Sequence, residues 1–265
     1  MKSVPRRSGE TPTPGREKIA DPSSRAIELP ALIRRRQVWL PTLWGAVLLC
    51  GLLAIALLGA ARTVGGFLAR SDPAGGADGL GARTLVVEGW LDPRELDAAI
   101  ATARRGRYER VVTSGGPIES WHDGVVWPSY AARAADYLRR HGLEGPVVAV
   151  AAPASAKDRT FLSAVVVREW LRREQPGLDT IDVFSAGAHA RRSRLAYRMA
   201  FGSAVEVGVI AATPRSYDID RWWTSSEGAK TVLNELLSLA WTKCCFWPAD
   251  DGTREGRWSV PKATP

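Results

Sequence analysis

The densest cluster of chemically useful side chains runs from Ser185 to Arg192 (SAGAHARR), where His189 precedes Arg192 by three positions. Imidazole titrates near neutral pH, so His189 is a candidate general acid or base. A helix N-terminus prefers acidic residues, and a histidine with two arginines in that first turn opposes the helix dipole and points to a bound anion. A lone histidine is also commonly a hydrogen-bonded structural residue, so both roles stand for His189. A second polar loop, Thr113 to Gly116 (TSGG), places Ser114 before two adjacent glycines. Gly115 and Gly116 would let backbone amides face an anion, or would simply make a tight turn. In a third loop Thr160 follows Asp158, which reads either as a helix cap or as a ligand residue. Glu88 ends an apolar run and needs a partner if buried, for which Arg or His from neighbouring loops are the natural candidates. Glu227 could act as a base or orient Arg192, although a carboxylate in the first turns of a helix is favoured by the dipole alone.

Other chemistries find little support. His122, His141 and His189 fall in different loops without paired ligand spacing, and no metal site is expected. A nucleophile elbow, a Walker loop and a Gly-x-Gly-x-x-Gly after the first strand are all missing, which disfavours common hydrolases, P-loop enzymes and dinucleotide enzymes. No cofactor is identified by any pattern.

These loops need a scaffold, and the hydrophobic pattern supplies one. Short apolar runs at 84–88, 110–113, 147–151, 180–185 and 205–210 alternate with helical periodicity at 93–105, 129–141, 159–174, 188–201 and about 220–242. Five such units predict a doubly wound, mostly parallel five-stranded α/β sheet of Rossmann-like type, with helices on both faces. In such sheets ligands bind beyond the carboxyl ends of the strands, which is where Glu88, Ser114, Thr160 and His189 fall.

Residues 38–61 form 24 consecutive positions without a charge. At about 1.5 Å per residue they span a hydrocarbon core of roughly 30 Å. One transmembrane helix is therefore expected, with Trp39 and Trp44 at its interfacial start. Residues 1–37 carry nine Lys and Arg against four Asp and Glu, so the positive-inside rule puts the N-terminus in the cytoplasm and the domain outside it. A cleaved signal peptide is the competing reading, against which a 37-residue leader is long. The expected organisation is a disordered basic tail at 1–37, the span at 38–61, a linker at 62–83, the domain at 84–247 and a flexible tail at 248–265. The net charge of +8 sits mainly at the N-terminus, because residues 84–265 carry 24 basic against 22 acidic groups. A nearly neutral domain argues against nucleic acid as a partner. Cys50 lies in the apolar run, and neighbouring Cys244 and Cys245 read as thiols, since adjacent cysteines bridge only with strain.

In their order along the chain, the anchor, Val-Val-Thr-Ser-Gly-Gly, the Thr-initiated helix with Thr160 and Ala164, His189 with Arg192, and Trp222 with Glu227 and Lys230 resemble the SanA/ElyC/YdcF family. The resemblance covers about residues 84–240. It implies an envelope-associated α/β domain in the inner membrane, active in cell-envelope maintenance. Its ligand would be an anionic, phosphate-bearing small molecule or lipid, with a non-catalytic anchored binding or interaction module, or a divergent hydrolase or transferase of the same fold, as the alternatives. The chain departs from the family pattern at Tyr130, at Leu162-Ser163 and at Glu88-Gly89-Trp90.

Overall fold

A computed structural model describes residues 41–74, 83–106, 108–118, 127–155 and 157–247. The tails expected at 1–37 and 248–265, and the glycine-rich part of the linker at 75–82, lie outside them, as does His122.

Alternation of β-branched runs with amphipathic segments produces strands β1 (Thr84–Glu88), β2 (Arg110–Gly115), β3 (Val147–Ala151), β4 (Thr180–Ala186) and β5 (Glu206–Ala212). Helices α2 (Pro93–Arg105), α3 (Tyr130–Arg140), α4 (Arg159–Glu174), α5 (Ala190–Phe201) and α6 (Ser226–Cys244) intervene or follow. The sheet order is β3-β2-β1-β4-β5 and every pairing is parallel. The chain thus winds outward from β1 in one direction through β2 and β3, then crosses back to β4 and β5. That reversal opens a crevice at the carboxyl ends of β1 and β4.

Each face of the sheet carries its own core. Val86, Val112, Ile181 and Val183 pack with Val167, Leu171, Tyr197 and Phe201 of α4 and α5. Leu85, Val87 and Phe184 pack with Leu96, Ile100, Ala134 and Leu138 of α2 and α3. Side chains two apart along a strand share a face, so Glu88, Ser114 and Ser185 at the strand ends lie on the α4–α5 side. Helix α2 starts at a full capping box, in which Asp92 accepts from the Glu95 amide and Glu95 accepts from the Asp92 amide. This box fixes the loop that follows β1.

Ahead of the sheet, helix α1 (Leu43–Leu68) is long and apolar enough to cross a membrane, with a mean hydropathy of 2.4 over its most apolar window, none of it buried. The helix continues past the uncharged run. Its last two turns join Trp222, Val232, Leu236 and Leu239 in a third apolar cluster. Trp222 Nε1 donates to the Ala61 carbonyl at 2.8 Å. Gly65 makes this packing possible, since a Cβ there would stand 2.1 Å from the Ile219 carbonyl oxygen.

Residues 71–74, the start of the stretch expected as a flexible linker, are clipped to the domain. Asp72 forms an antiparallel bridge with Val209 of edge strand β5, and the Ala74 amide donates to Asp182 at 2.7 Å. The pairing covers part of an exposed sheet edge. The expected single helix at 220–242 is instead a 3-10 segment at Ile219–Thr224, a break at Ser225 and then α6, which Ser225 caps by accepting from the Gly228 amide. Cys50, Cys244 and Cys245 are free and exposed thiols.

Candidate functional site

The crevice between β1 and β4 holds a buried polar network built from four elements. Glu88 ends β1 and is only 4% exposed. Its Oε2 accepts from the Ser185 hydroxyl of β4 at 2.5 Å, and its Oε1 accepts from the Ser193 hydroxyl of α5 at 2.9 Å. Two hydroxyl donors satisfy the buried carboxyl group.

Past Glu88, a single 3-10 turn at Gly187–His189 carries the chain from β4 into α5 and sets His189 against α6. Gly187, with φ of 20°, lies so close to Pro214 that a Cβ would meet Pro214 Cγ at 2.5 Å. His189 Nδ1 is 2.9 Å from Glu235 Oε1 of α6. Arg192, one turn on, grips the same carboxylate with Nε to Oε2 at 2.8 Å and Nη2 to Oε1 at 3.1 Å. Arg192 Nη2 is also 2.9 Å from His189 Nδ1. A guanidinium cannot accept a hydrogen bond and an ionised carboxylate cannot donate one. The Glu235 contact is a hydrogen bond only with the proton on Nδ1, and the Arg192 contact only with Nδ1 bare; we assign the proton to Nδ1 because the guanidinium already directs two donors to Glu235.

Burial raises the Glu235 carboxyl, but the hydrogen bonds from His189 and Arg192 outweigh it and hold it at about 2. Glu235 is thus a fixed anion orienting the imidazole. The opposite ring nitrogen, Nε2, is buried and has no hydrogen-bond partner among the described residues. It lies 3.8 Å from Glu88 Oε2, too far for a hydrogen bond. Trp90 meets the ring edge-on with centroids 5.1 Å apart. Arg133 of α3 steadies the Trp90 loop by donating to the Gly89 and Leu91 carbonyls at 2.9 and 2.8 Å.

His189, Glu235 and Trp90 share the wall of a cavity of about 660 Å³ with Asp92, Glu95, Arg215, Tyr217 and Asn234. Burial, reinforced by the nearby Asp92 and Glu88 charges and partly offset by the Asp92 amide, raises the Glu95 carboxyl. The rim contributes one exposed cation, Arg215, which has no ion pair among the described residues. The cavity offers a polar wall, an aromatic edge and a histidine with one nitrogen unengaged. That arrangement can exchange a proton with a ligand or hydrogen-bond to it.

The structure brings His189, Arg192 and Glu88 into one network and puts the other candidate residues elsewhere. The Ser114 hydroxyl is buried against Tyr197 Oη at 3.0 Å, beneath the network. Gly115, at φ of 149°, allows α3 to approach, since a Cβ would reach Tyr130 Cβ at 2.9 Å. The Gly116 carbonyl accepts from the Tyr130 amide at 2.9 Å. The Ser-Gly-Gly turn therefore seats α3 and does not border the cavity. Thr160 lines a separate depression of about 470 Å³ that it shares with Arg192, Leu237 and Trp241. Glu227 is exposed in the first turn of α6. The carboxylate that orients Arg192 is Glu235, two turns further on.

Glu235, Ser185 and Ser193 were not singled out from the sequence. Glu235 had a usable signal, since it falls in register with Gly228 and Val232 on the buried stripe of α6. A carboxylate on such a stripe needs a cation. The serines carried no signal, because their role depends on how β1, β4 and α5 meet. The sequence matches no protein-family model, and no curated protein matches it significantly.

Proposed function

We propose that this is a membrane-anchored, extracytoplasmic α/β protein of the cell envelope that binds a phosphate-bearing small molecule or lipid in the His189 cavity and exchanges a proton with it. The observation that carries this reading is the imidazole itself, on the cavity wall and held through Nδ1 by an anionic Glu235, with Nε2 buried beside Glu88 and without a hydrogen-bond partner among the described residues. Glu235 orients the ring, Arg192 fixes Glu235, and the Glu88 carboxylate lies 3.8 Å from Nε2. Arg215 is the cation left to hold an anionic group at the rim, because Arg192 is committed to Glu235. Asp92, Glu95 and Asn234 favour an uncharged, hydrogen-bonding body for the rest of the ligand.

The outward orientation is supported by the excess of Lys and Arg in residues 1–37, and the envelope role by the likeness to the SanA/ElyC/YdcF family. A purely binding role is favoured by one feature. Both Glu88 oxygens already accept from serine hydroxyls, which gives this carboxylate a structural role and keeps it from activating a water.

The test uses the full chain in nanodiscs, titrated with inorganic phosphate, pyrophosphate and a hexose 1-phosphate while product release is followed. Arg215→Gln is expected to weaken binding about tenfold, the loss of one charge-assisted hydrogen bond. His189→Ala is expected to keep affinity within about threefold and lower turnover about 10²-fold or more. Binding without turnover in the wild type selects the binding module. No binding of any probe, or His189→Ala and Arg215→Gln both indistinguishable from wild type, overturns the proposal.

A further inference from the structure

A second cavity of about 430 Å³ opens on a different face of α5, bounded by the end of α1, edge strand β5 and the end of α6. Five cationic side chains line it: Arg70, Arg191, Arg194, Arg198 and Lys243. Arg191, Arg194 and Arg198 recur at positions three and four apart, so one stripe of α5 points all three into the same space. Asp72 is the one carboxylate on the wall among the described residues, and it pairs with Arg194 at 2.5 Å. Among the described residues, Arg70, Arg191, Arg198 and Lys243 have no carboxylate partner.

This concentration of charge is held in place. Arg191 donates from Nε to the Phe67 carbonyl at 2.7 Å and lays its guanidinium over the Phe67 ring, 3.8 Å from the centroid. Arg194 donates from Nε to the Val207 carbonyl at 2.8 Å. Burial, and then repulsion from Arg194 and Arg70, lowers the Arg191 pKa, with Asp72 opposing the shift. A nearly neutral domain has no general need for four uncompensated cations around one depression. Mutual repulsion at such a spot is relieved when an anion enters.

We propose that this cavity is a second binding site, for a polyanion bearing two or more clustered phosphate groups. The guanidiniums supply planar forked donors, and Lys243 and Arg70 add charge at the mouth, a set suited to several phosphate oxygens at once. Phe67 on its wall is six residues beyond Ala61, where the uncharged run ends, or about 9 Å along a helix. The cavity therefore begins at about the outer limit of a headgroup layer, within reach of either a phosphorylated lipid headgroup or a soluble polyphosphate.

The experiment titrates inorganic tripolyphosphate into the full chain in zwitterionic nanodiscs and in nanodiscs containing an anionic phospholipid. The variant Arg70→Gln/Arg198→Gln/Lys243→Gln removes three exposed charges and no described hydrogen bond, so its melting profile should match wild type. Wild type is expected to bind with an affinity that falls steeply with salt, and the triple variant at least tenfold more weakly. Weaker tripolyphosphate binding in the anionic discs, abolished in the triple variant, identifies the headgroup as the natural occupant. Equal binding in both discs identifies a soluble polyanion. Failure of wild type to bind in zwitterionic discs, or binding by the triple variant within twofold of wild type, overturns the proposal.

Discussion

His189 and Glu235 stand 46 positions apart in the chain and meet with Nδ1 2.9 Å from Oε1. This contact ties the turn after β4 to the middle of α6 and fixes which ring nitrogen faces Glu88. Arg192 closes the arrangement by holding the same carboxylate with two hydrogen bonds. The three residues are thus one unit whose geometry depends on the Glu235 charge.

Removing that charge should be costly. Glu235→Ala leaves a partly buried guanidinium and an imidazole donor unpaired, and about 3 kcal/mol of stability is expected to be lost. Glu235→Gln keeps one acceptor oxygen and should lose less. The carboxyl titrates at about 2 in the fold against an ordinary 4.5. Its stabilising contribution is therefore complete above about pH 4.5 and is lost as pH falls toward 2. Circular-dichroism melts of the full chain in detergent should show this acid-side loss in wild type and a weaker one in Glu235→Gln. Identical acid profiles would remove Glu235 from the account of stability.

Asp182 should behave in the opposite sense. It is fully buried, accepting from Tyr108 Oη at 2.7 Å and from the Ala74 amide at 2.7 Å. Burial raises its pKa despite these two hydrogen bonds. A carboxyl raised in the fold binds a proton more readily there than in the unfolded chain, so its contribution declines as pH rises. Asn can accept from Ala74 and donate to Tyr108, so Asp182→Asn is expected to match or exceed wild-type stability at neutral pH. Asp182→Ala strands the Ala74 amide and should cost roughly 1–3 kcal/mol. Melting temperatures at pH 5 and pH 8 separate the two variants.

Gly65 should tolerate no side chain. A methyl there would stand 2.1 Å from the Ile219 carbonyl oxygen and 2.9 Å from Trp222 Cδ1. Gly65→Ala is expected to lever the end of α1 away from residues 219–224 and to break the Trp222 hydrogen bond to Ala61. Hydrogen–deuterium exchange across 219–224 should rise in that variant and stay at wild-type levels in Gly66→Ala, where a Cβ meets nothing within 4 Å.

The strands and most helices were legible because each is local. β1, α2, β3 and α4 begin and end at the residues the periodicity assigns, since β-branched runs and apolar stripes need no distant partner to declare themselves. The attachment of residues 71–74 was not legible. It depends on backbone pairing with β5 and on Asp182, 108 positions from Ala74, neither of which marks the sequence around Ser71. In the site, the unusual basic turn after β4 singled out His189 and Arg192. It did not reveal that Arg191 and Arg192 diverge, one into the cationic cavity and the other onto Glu235. Glu88 was legible as a buried carboxylate needing partners, but its partners are serines, whose hydroxyls draw no attention until the fold gathers them.

The central claim is that His189 carries its proton on Nδ1, toward Glu235, and keeps Nε2 buried beside Glu88 and unengaged until a ligand enters the cavity. Nitrogen-15 NMR of the full chain labelled at histidine, with His141→Asn and His122→Asn used for assignment, measures this directly. The expected spectrum shows a proton coupled to Nδ1 of His189 and, on addition of hexose 1-phosphate, a shift at Nε2 larger than at Nδ1. A bare Nδ1 with the proton on Nε2, or an Nε2 resonance unmoved by a phosphate ligand that binds, would contradict the account.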